Sequence, residues 1–197
     1  MPNRLEAREY VSTGVISYAE GDLIEVELTE FKYFQLKENV KVTVYSPVGI
    51  LVFFSTIIAK SDGSVVIMNV PDVGQRFGEV RQYPRVKVTA LGTVERIDAL
   101  GEEIGLTTDN ISLGGAGFKV FDDTILNGQC KIQLNLTDDV LVRCLVEIVR
   151  TEQKDNYMYY GAKFLDMNNR MANALRAFIM SRQMELYFAH KKTGNKL

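Results

Sequence analysis

The chain has 197 residues, of which 46% are hydrophobic and 24% charged, a composition typical of a folded globular protein and not of a disordered or fibrous one. Its 23 basic and 25 acidic residues give a formal net charge of −2, so no overall positive field attracts nucleic acid or anionic lipid. Any anionic ligand must therefore be held by a local group of residues.

The N-terminal stretch MPNRLEAREYVSTG lacks the apolar segment of a secretory signal. The longest apolar run, VGILVFFSTIIA at 48–59, is shorter than the ~20 residues that cross a bilayer and contains Ser55 and Thr56. Cys130 and Cys144 lack CxxC spacing, so we expect reduced, half-buried core thiols and neither a zinc site nor a disulfide. The expected protein is cytoplasmic, with no transmembrane segment and no cofactor.

Alternating apolar and polar residues predict half-buried strands between Leu23 and Met68, because alternate side chains of a strand point to opposite faces. The turn sequences SPVG at 46–49 and SDGS at 61–64 separate the later strands. Four or five short strands at this spacing predict a small antiparallel β-barrel, which we assign to residues 1–75.

Between Pro71 and Pro84 the alternation disappears into prolines, glycines and interleaved charges, a composition typical of a connector. We therefore predict a domain boundary near residue 76 and a second domain over residues 76–197. The alternation returns at Val86 and Val88, then in KIQLNL (131–136), LVRCLVEIVR (141–150) and YMYYGAKF (157–164). These runs predict a second antiparallel barrel or sandwich.

The last part of the chain predicts one amphipathic α-helix. Asp166, Asn168 and Asn169 are candidates for its N-cap, and the segment HKKTG supplies basic residues and a glycine at its end. Apolar residues recur at helical spacing at Met171, Leu175, Phe178, Ile179 and Leu186. The predicted fold class is thus mainly β, with two small antiparallel barrels in tandem and a C-terminal helix.

The residue types argue against an enzyme. His190 is the only histidine and falls near the end of the predicted helix, so no Ser/His/Asp or Cys/His arrangement can form around it. The pairs Asp122/Asp123 and Asp138/Asp139 fall in predicted turns, where aspartate is common. The GGAG segment at 114–117 lacks the Lys-Ser/Thr of a phosphate-binding loop. We expect neither a catalytic residue nor a metal site.

Arg81 and Arg85 stand on either side of Pro84 in the segment VRQYPRVKV at 80–88. Proline fixes its own φ angle and favours an extended conformation for Tyr83, so the segment is partly stiffened. An arginine fork can bind a phosphate, or the O6/N7 edge of guanine, through two parallel hydrogen bonds. On its own, this spacing is more often an exposed linker with two solvated arginines.

Asn110 and Ser112 alternate on one side of an extended segment in TTDNISLGGAGFKV at 107–120. They supply amide and hydroxyl groups, and Gly114 and Gly115 then remove side-chain bulk where a flat ligand could approach the backbone. On its own, this segment is more often a turn between strands.

Together the two segments resemble the PilZ family of cyclic di-GMP receptors. The matching elements are RxxxR at 81–85 and NISLGG at 110–115, and YYGAKFLDM at 159–167 is similar to the family's last strand. The resemblance covers roughly residues 80–190. It implies that Arg81 and Arg85 bind phosphate and guanine, and that Asn110, Ser112 and Gly115 line the barrel surface and contact guanine.

The upstream half is similar to a two-domain flagellar-brake subgroup, in which a PilZ-like barrel and a linker such as QRFGEVRQYPRV precede the nucleotide-binding barrel. This similarity implies an effector in which ligand binding changes the orientation between the domains. Its output would be flagellar motility, through a protein partner and with recruitment to the flagellar basal body. Many members carry a further arginine where this chain has Val80, so the number of bound nucleotides stays open.

Other outputs also stay open at this point: exopolysaccharide synthesis, pilus assembly or transcription. A nucleic-acid-binding barrel is a further alternative, although Tyr157, Tyr159 and Tyr160 have only Lys163 and Arg150 near them in sequence. A ligand-free interaction module would lack the arginines. The exposed face of the first barrel and the polar side of the helix are candidate docking surfaces, the latter through Arg176, Arg182, Gln183 and Glu185.

Overall fold

The computed structural model describes residues 10–47, 49–68, 83–98, 101–122 and 124–194. The chain divides into two compact units, Met1–Val80 and Arg81–Leu197. The boundary that we predict near residue 76 lies outside the described residues and stays a prediction.

The first unit is a curled half-barrel, a five-stranded antiparallel sheet whose strands lie in the order β1-β2-β5-β4-β3. Its core consists of apolar side chains from the inner face of the sheet, namely Ile24, Leu28, Ile57, Val65 and Ile67. The strands are β1 (Val15–Glu20), β2 (Leu23–Glu27), β3 (Asn39–Ser46), β4 (Gly49–Ser61) and β5 (Ser64–Met68).

The β3–β4 hairpin leaves large apolar side chains exposed on one face. Tyr45 pairs with Ile50, and Phe54 lies four pairs further along, opposite Lys41. Tyr45 and Phe54 are 77% and 73% exposed, and Ile50 is 67% exposed. Next to its turn, the hairpin therefore carries apolar side chains on both faces, although its sequence alternates.

The second unit is a closed antiparallel barrel in the order β10-β11-β8-β7-β6-β9, which confirms the predicted second barrel. Its core is larger than that of the first unit and combines side chains from all six strands with the C-terminal helix. The strands are β6 (Val86–Arg96), β7 (Glu103–Ser112), β8 (Gly115–Val120), β9 (Gln129–Asn135), β10 (Leu141–Gln153) and β11 (Met158–Phe164).

Tyr160 lies at the centre of this core and is fully buried against Phe118. Its hydroxyl accepts a hydrogen bond from the Leu126 amide (3.2 Å) and donates one to the Thr124 carbonyl (3.3 Å), so the buried polar atom is satisfied. Cys130 and Cys144 are free thiols in the same core. Burial raises the pKa of the Cys144 thiol to about 12, which keeps it neutral and unreactive.

The C-terminal helix, α1 (Asn169–Gly194), packs against β6 and β10. Of the three N-cap candidates, Asn168 is the one whose side chain caps the helix, accepting from the Met171 amide at 2.9 Å. No helix among the described residues has the length and apolarity needed to span a membrane. The mainly β fold class with one terminal helix is confirmed.

The buried stripe of α1 differs from the predicted one near its end. Leu175, Phe178 and Ile179 are buried as expected, but Leu186 is 51% exposed and Tyr187 takes its place in the stripe. Gln183 is also buried, so it does not belong to the exposed polar side where we placed it. Residues 179, 183 and 187 share one face because residues four apart on a helix lie above one another.

Candidate functional site

A bulge in β7 determines which of its side chains point outward. Ile104, Leu106 and Thr108 point into the barrel, but the β7–β8 register shifts between Thr108 and Asn110, after which Ile111 points inward. Asn110 and Ser112 therefore stand on the outer side of the strand, as the sequence predicts. Without the bulge, Asn110 would be directed into the core.

Asn110 is held in place through its side-chain nitrogen. Nδ2 donates to Oδ2 of Asp109 (3.1 Å) and to the hydroxyl of Tyr159 on β11 (2.9 Å). The other end of the amide, Oδ1, is buried and accepts no hydrogen bond from the residues that the structure describes. A buried acceptor without a donor is costly in a folded protein, and a bound donor would remove that cost.

Ser112 and Gly114 form the turn between β7 and β8. The Ser112 hydroxyl accepts from the Gly114 amide and is within 3.3 Å of the Gly115 carbonyl, to which it donates. A Cβ on Gly114 would lie 2.8 Å from the ring of Tyr83, so glycine is needed for this ring to pack on the turn. The hydroxyl of Ser112 is buried and directed at the turn itself.

Three glycines, which we call the glycine floor, line the outer face of β8 and β11: Gly115, Gly117 and Gly161. Gly117 and Gly161 are directly paired across the two strands. A Cβ on Gly115 would come within 2.1 Å of the Ala162 carbonyl, and one on Gly117 within 2.2 Å of the Tyr159 hydroxyl. The floor is thus a strip of bare backbone, crossed by the Tyr159 side chain where it reaches Asn110.

Arg85 lies at the entrance to β6, beside this end of β7. The next residue, Val86, pairs with Ile111, and Lys87 pairs with Asn110. Val86 and Val88 point inward, so Arg85 and Lys87 point outward. Within the described part of the chain Arg85 has no carboxylate partner, so its guanidinium is available to an anion. Arg81 lies outside the described residues.

Two further cations on this face are paired. Lys119 contacts Asp109 at 3.4 Å and lies 5.3 Å from the centre of the Tyr157 ring. Arg150 is bonded to Glu152, and this contact, together with Lys154, lowers the pKa of Glu152 and keeps it ionised. Arg85, Lys87 and Lys163, which pairs with Gly115 across the strands, are the cations on this face that no described carboxylate neutralises.

This arrangement suits a flat anionic ligand. It combines glycine backbone that lets β11 and the Tyr159 side chain pack closely, an acceptor at Asn110 Oδ1, and cations at its edge that no described carboxylate neutralises. No group of three or more His, Cys, Asp or Glu residues in the described ranges could hold a metal ion.

The structure brings Arg85, Asn110, Ser112 and Gly115 to one end of the barrel surface. It also adds residues that we did not predict, namely Asp109, Tyr159 and the remaining glycines of the floor. Glycines at 115 and 117, at strand period two, were visible in the sequence as a side-chain-free face of β8. The Asn110–Tyr159 contact had no local signal, because 49 positions separate the two residues.

Comparison with known proteins gives one family and several similar structures. The sequence pattern described as "PilZ domain" matches residues 79–181. No curated protein sequence matches the chain at a significant level. All of the similar structures described next are less than 25% identical to the chain, so they give information only about its fold.

YcgR from Escherichia coli in complex with c-di-GMP is 14% identical, with a TM-score of 0.50 over 90% of this chain and 81% of that one. MrkH of K. pneumonia in its apo state is 12% identical, with a TM-score of 0.50 over 88% and 83%. The Bacillus subtilis inhibitor of motility, MotI/DgrA, is 14% identical, with a TM-score of 0.49 over 88% and 90%. The first two support the fold described above.

Proposed function

The chain belongs to the PilZ domain family, and from that premise we propose that it is a non-catalytic effector that binds cyclic di-GMP on the outer face of the second barrel. The observation that carries this proposal is the end of the barrel where Arg85 adjoins Asn110. Among the described residues Arg85 has no carboxylate partner and Asn110 Oδ1 has no donor.

Cyclic di-GMP carries two phosphates and two guanine bases, and the groups on this face are complementary to both. Arg85, with Arg81 from the preceding segment, would bind phosphate and the O6/N7 edge of guanine. Asn110 would accept from a guanine N–H, and the glycine floor would let the base lie close to the backbone. Ser112 and Gly115 would shape the contact surface by holding the β7–β8 turn.

A few such bonds are sufficient for a useful affinity. Hydrogen bonds to charged groups contribute about 1.5–3 kcal/mol each, and a micromolar complex corresponds to about 8 kcal/mol. Three or four of them therefore account for much of the binding free energy, before ordering costs are subtracted.

Isothermal titration calorimetry of the full chain tests this proposal. We expect saturable binding of cyclic di-GMP and much weaker binding of cyclic di-AMP and GTP. Arg85→Ala should raise the Kd roughly 10- to 100-fold because one charge-assisted contact is lost. Lys41→Ala, an exposed cation of β3, is the matched control and should leave the Kd unchanged. Absence of binding, or equal effects of the two substitutions, would contradict the proposal.

We propose further that ligand binding changes the orientation between the two domains. The reason is that Arg81 precedes the barrel while Asn110 belongs to it, so a ligand bound by both restrains the connecting segment. Small-angle scattering should show compaction of the wild type on ligand addition and none in Arg81→Ala. Identical wild-type profiles with and without ligand would refute this step.

The output that we propose is regulation of flagellar motility through a protein partner. It rests on the similarity of the upstream half and of QRFGEVRQYPRV to the flagellar-brake subgroup. Swimming speed is the measurement: raised cyclic di-GMP should slow cells that carry the gene and not cells that lack it. Equal slowing in both strains would point to exopolysaccharide, pilus or transcriptional output instead.

A further inference from the structure

The amide of Asn110 is held in one orientation by two acceptors. The carboxylate of Asp109 can only accept hydrogen bonds, so the nitrogen end of the amide must face it. The hydroxyl of Tyr159 accepts the second N–H from the opposite strand. With both amide hydrogens engaged, only the buried oxygen has no partner among the described residues.

The surroundings reinforce this orientation. Lys119 contacts the other oxygen of Asp109 at 3.4 Å, which holds the carboxylate beside Asn110. Gly117 lies beneath the Asn110–Tyr159 bond, and a Cβ there would be 2.7 Å from Nδ2 and 2.2 Å from the hydroxyl. The bond therefore depends on the absence of a side chain at this position.

We infer that Tyr159 is a positioning residue that sets the purine preference of the site by presenting Asn110 as an acceptor and not as a donor. This inference rests on the proposed function. Guanine carries N–H donors at N1 and N2 on its Watson–Crick edge, where adenine carries an acceptor at N1. A fixed Oδ1 can accept from both N1–H and N2–H of guanine, but from adenine it can accept only the N6–H and it faces the N1 acceptor. Without Tyr159 the amide is held by Asp109 alone, so it turns more easily to offer Nδ2 to adenine N1.

The test is the ratio of two Kd values, that of cyclic di-AMP divided by that of cyclic di-GMP, measured by competition titration on the full chain. Tyr159→Phe removes one acceptor and should lower this ratio roughly three- to tenfold, as expected for one hydrogen bond. Gly117→Ala, which displaces both partners, should lower it at least as much. A purely structural role would weaken both ligands equally and leave the ratio unchanged.

Tyr157→Phe and Gly105→Ala are the matched controls. The Tyr157 ring contacts Lys119 next to the Asp109 pair, and a Cβ on Gly105 meets no atom within 4 Å. Both variants should keep the wild-type ratio. An unchanged ratio in Tyr159→Phe and Gly117→Ala, with tight cyclic di-GMP binding by the wild type, would overturn this inference alone. Absence of wild-type binding would overturn the proposed function as well.

Discussion

The sheet of β1–β5 ends at two edge strands, β1 and β3, whereas β6–β11 closes on itself. Both units are built from the same alternation of apolar and polar residues, yet their outer faces differ. The β3–β4 hairpin exposes Tyr45 and Phe54, while the outer face of β7, β8 and β11 carries a half-buried amide and a half-buried phenol beside glycines that are buried or half-buried.

This difference indicates where recognition chemistry is located. In the barrel, glycines allow neighbouring strands and the Tyr159 side chain to approach closely, so polar groups from β7 and β11 converge on one point. In the half-barrel, the outer face of the hairpin mixes Lys41 and Thr43 with the exposed apolar side chains of Tyr45 and Phe54, and these residues lie outside the core of that unit. The ligand site that we propose therefore belongs to the barrel, and the following experiments test that division.

The largest expected effect comes from a cavity in either core. Leu134→Ala in the barrel and Ile57→Ala in the half-barrel each remove a fully buried side chain and should cost about 3 kcal/mol of unfolding free energy. Since the two units have separate cores, we expect each variant to shift its own transition in a thermal melt. Addition of cyclic di-GMP should raise the melting temperature of the transition that Leu134→Ala shifts, and not that of the other transition. A single transition shifted equally by both variants would contradict the division.

A smaller effect is expected from the close strand approach in the barrel. Gly115→Ala places a Cβ 2.1 Å from the Ala162 carbonyl, so the β8–β11 pairing must shift, at a cost of about 2 kcal/mol. Gly105→Ala in the neighbouring strand meets open space and should be neutral or slightly stabilising. Urea denaturation of both variants measures the difference, and equal midpoints would show that closure of the barrel does not require glycine at 115.

A third expected effect, absent at neutral pH, is alkaline destabilisation. An unfolded thiol has a pKa of about 8.5, and burial raises the pKa of Cys144 to about 12. The contribution of the neutral thiol to the free energy of unfolding of the barrel is therefore complete below pH ~8.5. It is lost as the pH rises toward 12. Burial and Glu20 raise the pKa of Tyr18 in the half-barrel from 10.0 to about 12. The half-barrel therefore begins to lose stability at a higher pH than the barrel does.

Melting temperatures between pH 8 and 11 should reveal this order, with the barrel transition falling first. Cys144→Ala should flatten the pH dependence of the barrel transition and leave that of the half-barrel unchanged. Parallel pH dependence of the barrel transition in wild type and variant would rule out Cys144 as its source.

The strands with strict alternation and the position of the helix could be predicted from the sequence. The family resemblance could also be predicted, because RxxxR and NISLGG occur together. β1 was not predicted, because only Ile16 and Tyr18 of its six residues are partly buried and its alternation is weak. The end of the buried helix stripe was misplaced by one residue, since Leu186 and Tyr187 are both apolar and spacing alone does not separate them.

The finer features of the site depend on contacts between distant parts of the chain. The bulge that turns Asn110 outward is a property of the β7–β8 register. The bond between Asn110 and Tyr159 requires β7, β8 and β11 to be neighbours, which local periodicity does not encode. Closure of the second sheet and curling of the first likewise depend on pairing between strands far apart in sequence.

Hydrogen–deuterium exchange of the full chain with and without cyclic di-GMP tests the central claim most directly, because it locates the ligand without a substitution. We predict that the strongest ligand-dependent protection falls at residues 83–88, 107–119 and 157–163, with none at residues 39–61 of the β3–β4 hairpin. Protection strongest in the hairpin, or no change at the three barrel segments, would contradict the claim that the outer face of the second barrel binds cyclic di-GMP.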